Sequence, residues 1–387
     1  MQAFDALIIG AGPAGAFAAQ RLAQAGMRVA LFDGRSPSDP KPCGGGVTAK
    51  ALRRWPWLLE APARVIADVR LLSPSGRALD LRLWEPFAIY SRRAFDHFLR
   101  QRAERFGATV LRDRVKDFAR AFGAWSVKTG AGKEYRADFL VVADGANSPF
   151  ARRLAGRLSN FDMEVAFGYR APLPSSGRAE TVIAFLKNWA GYAWAFPRLD
   201  HVCFGIATGQ TSFDRQALDR LLWKFMLDYY GAISPEQVES RLRSLVVRYA
   251  ARIPGLRPES WEERVASGDG WALLGDAAGF ADPVTGEGIY YALRSAELLA
   301  ESLISGEARS YEERWREDFG RELRRAAQMR DRFYGGFLGA PFTDRMIAFA
   351  RLHRGVRRTL RELIAGDQGY VDLKGRLVQR LFAVAFV

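Results

Sequence analysis

The sequence predicts an α/β protein in which a Rossmann-type nucleotide-binding domain is interrupted by an antiparallel sheet and followed by helices. Three observations carry that prediction. Near the start, ALIIG, GAGPAG, AFAAQRLAQAG and MRVALFD read as strand, glycine turn, helix and strand. Two later apolar strands, FLVVADGANS from residue 139 and WALLGD from residue 271, each stop at an aspartate on the carboxyl edge, where parallel sheets bind ligands. Between them, residues 160 to 265 change to short alternating runs of the kind that build antiparallel sheets.

With 387 residues and 49% apolar composition, the chain can bury the cores of two or three packed units. Two cysteines argue against a disulfide framework, and three unclustered histidines argue against a metal site. Met1 leads into a strand rather than a signal core, and no apolar run approaches the ~18 residues of a spanning helix, so a cytoplasmic protein is expected. The net charge of +14 would suit nucleic acid or an anionic membrane surface. The cations are mostly arginine and spread along the chain, without a basic tail or an aromatic-interleaved basic module, so no nucleic-acid partner is expected. Peripheral attachment to the inner face of a membrane stays open, as does the oligomeric state.

Taken in order, Gly10, Gly12 and Gly15 have the GxGxxG spacing. Gly10 would permit the tight turn, Gly12 would let a pyrophosphate approach the backbone, and Gly15 would let helix and strand pack closely. Asp33 ends the second strand at the distance where a carboxylate accepts from an adenosine ribose. These features bind the ADP half of FAD or NAD alike. Arg92 and Asp96, one turn apart in SRRAFDHFL, can form an intrahelical ion pair. Asp144 reads as a turn residue supporting the cofactor at the sheet edge. Asp276 can accept from ribityl hydroxyls, and DPVTGEG, with Gly286 and Gly288, leads into a helix whose N-terminus would stabilise negative charge on a reduced ring. That combination selects FAD.

The motifs GAGPAG, PCGGG, SRRAFDHFL, VADGANS, YAWAFP and GDAAGFADPVTGEGIYYA follow one another in a familiar order. Through them the chain resembles the geranylgeranyl reductase family, within the FAD-dependent oxidoreductases of the aromatic-hydroxylase fold. The nucleotide and GD motifs belong to the wider fold; PCGGG with YAWAFP is the narrower signal. The resemblance implies a Rossmann-type FAD-binding domain, an inserted antiparallel-sheet substrate domain and a C-terminal helical segment. It also implies hydride transfer from reduced flavin to a carbon-carbon double bond of a long apolar isoprenoid, with NADPH or another reductant as transient electron donor.

The resemblance further implies roles for particular residues. Arg92 would reach the FAD phosphate or ring region. Gly44 and Gly45, after the Pro-rich loop SPSDPKP, would let bare backbone approach the isoalloxazine, with Cys43 beside it. Strict alternation in GYAWAFP puts Tyr192, Trp194 and Phe196 on one face, an aromatic wall that packing alone could also explain; in the family this segment lines the substrate cavity. Cys43 and Tyr192 are the candidates for orienting the substrate or donating a proton, while Cys203 reads as core.

The expected domains are 1–70, 90–158 and 264–306 for FAD, 71–89 and 159–263 for substrate, and 307–387 as a helical region. The last region carries Arg345, Arg351, Arg354, Arg357, Arg358 and Arg361 against Asp344 and Glu362, and ends LFAVAFV. It reads either as a membrane-surface element or as a helix pair closing the substrate cavity. Rival functions are a monooxygenase or halogenase on the same scaffold, a flavoprotein electron carrier, and an isoprenoid-binding protein keeping FAD as a relic. The Trp-x-Trp-x-Ile-Pro pattern of halogenases is absent, and WPW at residues 55–57 lacks its spacing.

Overall fold

The computed structural model describes residues 2–36, 41–175, 179–187, 189–209, 214–231, 235–337 and 339–383. Parts of SPSDPKP, of PLPSSGRAE and of the terminal LFAVAFV lie outside the described residues. The chain forms two compact units. The first comprises Met1–Lys41, Arg92–Asp162 and Ile253–Arg324; the second comprises Pro42–Ser91, Met163–Arg252 and Arg325–Val387.

In the first unit the strand Gln2–Ile9 lies parallel to Val29–Phe32 on one side and to Glu134–Val142 on the other. Thr109–Leu111 and Trp271–Leu273 extend the parallel sheet outward. Ala6, Leu7 and Ile8 are fully enclosed, which explains why this strand is an unbroken apolar run rather than an alternating one. The helix Pro13–Gln24 starts on a proline and gives way to Gly26, whose φ of +86° a side chain would strain. It packs against the helices Arg92–Arg105 and Ile289–Ile304. GAGK at residues 130–133 is the turn between Ala124–Thr129 and Glu134–Val142.

The second unit is built on an eight-stranded sheet. Its order is Val247–Pro254, Met163–Ala171, Val202–Thr208, Gly191–Pro197, Val182–Phe185, Ala63–Leu72, Ala78–Tyr90 and Gly46–Val47. The ladders joining Met163–Ala171 to Val202–Thr208, Val202–Thr208 to Gly191–Pro197, Gly191–Pro197 to Val182–Phe185, Ala63–Leu72 to Ala78–Tyr90 and Ala78–Tyr90 to Gly46–Val47 are antiparallel, as expected, while Val182–Phe185 runs parallel to Ala63–Leu72. More than a hundred residues separate those two strands in the chain, and no hairpin dictates their direction.

The unit boundaries also differ from those expected. Residues 42–70 cluster with the second unit, because Ala63–Leu72 and Gly46–Val47 both pair with Ala78–Tyr90. The C-terminal region divides at Arg324. Beyond it, the helix Phe342–Leu352 is fastened through Asp344, which accepts from the Ser75 hydroxyl at 2.5 Å and from Arg77 at 2.7 Å.

Two apolar clusters build the core of this unit. Ala193, Ala195, Phe204 and Ile206 pack with Leu218, Leu222 and Met226 of the helix Arg215–Tyr229. Leu79, Leu81, Phe87 and Ile89 pack with Ile347, Val356 and Leu360 from the C-terminal helices.

Candidate functional site

In the first unit the strand ends assemble a cradle. A Cβ on Gly10, whose φ is +105°, would run into the main chain of Ala143, and one on Gly15 would run into the Gly10 carbonyl. Both glycines are therefore required by packing. Gly12 is different: among the described residues the only atom near a Cβ there is an Arg92 guanidinium nitrogen at 4.0 Å. Gly12 also N-caps the helix Pro13–Gln24 and offers no side-chain cap of its own. An open helix N-terminus with free space and a cation beyond it suits a pyrophosphate. The buried Arg92 grips Asp96 at both carboxylate oxygens, at 2.8 and 3.0 Å. Asp96 thus holds the Arg92 guanidinium near Gly12.

Asp33 follows the second strand, accepts from the Arg35 amide at 3.2 Å and lies 3.3 Å from Arg100 Nε. Asp144 has one oxygen, Oδ1, buried without a partner among the described residues. Burial pushes its carboxyl up to about 6, against a hydrogen bond from Ser148 and the charge of Arg152. Asp276 is paired with Lys41 at 2.7 Å, and its Oδ1 lies 3.0 Å from where a Gly288 Cβ would stand. Gly288 is the N-cap of Ile289–Ile304, again without a side-chain cap. Gly286, at φ +70°, lies in a loop closed by Asp282, which accepts from the Val284 and Thr285 amides at 2.7 and 3.2 Å. Uncapped helix ends, an orphaned carboxylate oxygen and space above Gly12 fit a cofactor rich in phosphates and hydroxyls, as FAD is.

In the second unit the rings of Tyr192, Trp194 and Phe196 follow one another along Gly191–Pro197 with centroids 5.6 and 6.4 Å apart. The glycine run packs against this face. A Gly44 Cβ would stand 3.2 Å from the Phe196 ring and 3.4 Å from Trp194 Nε1, and a Gly46 Cβ 2.5 Å from Phe87. Gly45 has φ +82°, and a Cβ there would enter the Tyr90 carbonyl. Bare backbone is thus needed by the unit's own packing, whether or not a flavin approaches it.

Cys43 is half-buried, and the Gly45 amide donates to its sulfur at 3.3 Å. Cys203 is in the core, with Sγ 3.1 Å from the Tyr249 hydroxyl and 3.5 Å from the Cys43 carbonyl oxygen. Tyr249 donates to the Phe204 carbonyl at 2.7 Å, and burial beside Cys203 drives its phenol well above the usual range. Trp194 Nε1 is buried without a partner among the described residues.

Sequence reasoning missed Lys41, Arg198 and Tyr249. Lys41 stood inside the stretch KPCGGG, but its partner lies 235 positions away, beyond any local pattern. Among the described residues no cluster of His, Cys, Asp or Glu could hold a metal ion, and no helix is long and apolar enough to cross a membrane.

Fold and cradle together define an FAD-binding oxidoreductase, and a family model described as an FAD binding domain matches residues 3–315. The geranylgeranyl diphosphate reductase of Arabidopsis thaliana chloroplasts is 30% identical over 344 residues, covering 80% of this chain and 69% of that protein. The digeranylgeranylglycerophospholipid reductase of Methanothrix thermoacetophila is 29% identical, covering 85% of this chain and 87% of its own. Among solved structures, a geranylgeranyl bacteriochlorophyll reductase-like protein from Thermoplasma acidophilum superposes with a TM-score of 0.77 at 21% identity, covering 98% of this chain and 99% of that one. A flavin-dependent brominase gives a TM-score of 0.72 at 19% identity, so the fold itself is shared across chemistries. The chain belongs to the geranylgeranyl reductase family of FAD-dependent oxidoreductases.

Proposed function

We propose that this protein saturates carbon-carbon double bonds of a long apolar isoprenoid, with NADPH or another reductant as the transient electron donor. The observation that carries the reading is the aromatic face Tyr192, Trp194 and Phe196 with the Cys43–Gly46 backbone packed on it. When bound and reduced, FAD supplies the hydride. The chain's own residues do the rest. Gly12 and Arg92 hold the pyrophosphate, Asp33 the adenosine ribose, and Asp276 the ribityl hydroxyls. Gly286 and Gly288 keep the second helix N-terminus clear of side chains, and Asp144 supports the edge between them. Gly44 and Gly45 carry Cys43 to the aromatic face, where Cys43 and Tyr192 orient the alkene or hold the proton for its second carbon. Isolated alkenes accept hydride poorly, so positioning by a rigid wall must supply much of the rate.

The isoprenoid is nearly insoluble, and collection from an anionic membrane surface fits the basic C-terminal helices. Phe349 and Leu352 stand exposed on Phe342–Leu352, and the arginines 358 and 361 flank the exposed Trp84 ring at 5.4 and 5.7 Å. Part of that charge is spent internally, since Arg358 pairs with Glu362 at 3.0 Å.

Anaerobic photoreduction of the purified holoprotein tests the reading. Adding a solubilised geranylgeranyl compound should reoxidise the flavin, while its fully saturated analogue should not. Reoxidation that requires oxygen would favour a monooxygenase instead.

A further inference from the structure

The aromatic strand is followed directly by Arg198, a residue buried at 4% exposure. Among the described residues no carboxylate pairs with it. Its terminal nitrogen donates instead to two main-chain carbonyls of the glycine run, Cys43 at 2.7 Å and Gly44 at 3.3 Å, and its Nε is buried without a partner. Arg198 is itself fixed at the backbone. Its amide donates to the His201 carbonyl at 2.7 Å, and its carbonyl accepts from Arg64 at 3.3 Å.

The Cys43 carbonyl has a second donor, the thiol of Cys203 at 3.5 Å, whose sulfur lies 3.1 Å from the Tyr249 hydroxyl oxygen. The Gly45 amide meanwhile donates to Cys43 Sγ. Cys43 is thus gripped at its carbonyl and at its sulfur. Burying a cation that satisfies only carbonyl dipoles costs stability that an apolar side chain of similar length would not cost. What the charge gives in return is a charge-assisted bond, stronger than a neutral one, to a loop that otherwise consists of glycine.

We propose that Arg198 is a positioning residue that locks the Cys43–Gly44 loop onto the aromatic strand and so sets where the Cys43 thiol stands. The catalytic consequence rests on the reading above that Cys43 works on the substrate; the lock itself does not.

The test uses the full-length holoenzyme in a Cys203→Ser background, in which Cys43 is the sole thiol. Arg198→Gln and Arg198→Lys are compared with the parent for Cys43 alkylation by iodoacetamide across pH, for kcat and KM, and for Tm. Loss of the lock should change the alkylation rate of Arg198→Gln by about tenfold, in line with losing one hydrogen bond to a charged group. The same variant should lower kcat while leaving KM for the prenyl compound nearly unchanged, and Arg198→Lys should recover part of both effects. If Arg198→Gln does not fold, Arg198→Lys alone is read, and its Cys43 alkylation rate should still differ measurably from the parent's. Alkylation profiles that superimpose on the parent's in whichever variants fold would overturn the proposal. A Cys43→Ser enzyme that turns over at the parental rate, while Arg198→Gln still alters alkylation, would instead sink the substrate role of Cys43 and leave the lock standing.

Discussion

At the scale of single residues, the cradle turns on two carboxylates with opposite situations. Asp276 is ion-paired to Lys41 and stands beside an uncapped helix N-terminus. Asp276→Ala should weaken FAD binding by about 1 to 3 kcal/mol, because a cofactor hydroxyl and Lys41 both lose their acceptor. Flavin fluorescence on dilution checks this, and full retention of FAD would remove Asp276 from the cradle. Asp144 has an oxygen buried without a partner among the described residues, and burial raises its carboxyl from 3.8 to about 6. The folded protein therefore binds that proton more tightly than the unfolded chain. Stability falls as pH rises from about 4 to about 6 and stays lower above, by at most about 3 kcal/mol. Asp144→Asn should stabilise the FAD-free protein at pH 7.5 and give no gain at pH 4. Urea unfolding at the two pH values reads the difference, and a gain independent of pH would contradict it. Both aspartates were legible in the sequence from their place at strand ends. Their partners were not, because Lys41 reaches Asp276 only through the fold.

At the scale of elements, the opening strand, helix and strand could be read directly, since buried parallel strands and a glycine turn leave strong local patterns. The alternation in GYAWAFP likewise fixed which face carries the rings, and Ala193 and Ala195 do pack into the opposite cluster. Less legible was the sheet membership of residues 46–72, whose strand partner is set by long-range pairing rather than by periodicity. The glycine run belongs to this scale as well, because it is the packing of one element on another. Gly45→Val combines a strained φ with a clash at the Tyr90 carbonyl and should destabilise the protein by several kcal/mol, on the order of 3. Cys43→Ser should leave Tm and FAD content unchanged and slow alkene reduction. Calorimetry and turnover assays separate the two, and a Gly45→Val protein as stable as wild type would show that the loop is not held as described.

At the scale of the whole molecule, the net charge of +14 would aid solubility and, under the membrane proposal, would also draw the protein to anionic lipid. The membrane proposal predicts reversible binding to vesicles containing anionic lipid, weaker binding to neutral ones, and release as salt shortens the screening length to roughly 8 Å or less. Co-sedimentation indifferent to lipid charge would leave the charge to solubility.

The central claim is chemical: the bound cofactor's electrons go to an alkene and not to oxygen. A single turnover of the photoreduced holoenzyme with a geranylgeranyl compound, followed by mass spectrometry of the product, tests it most directly. The account predicts a gain of two hydrogens per double bond saturated, formed without oxygen. A product carrying an added oxygen or halogen atom, formed only when oxygen is admitted, would contradict it.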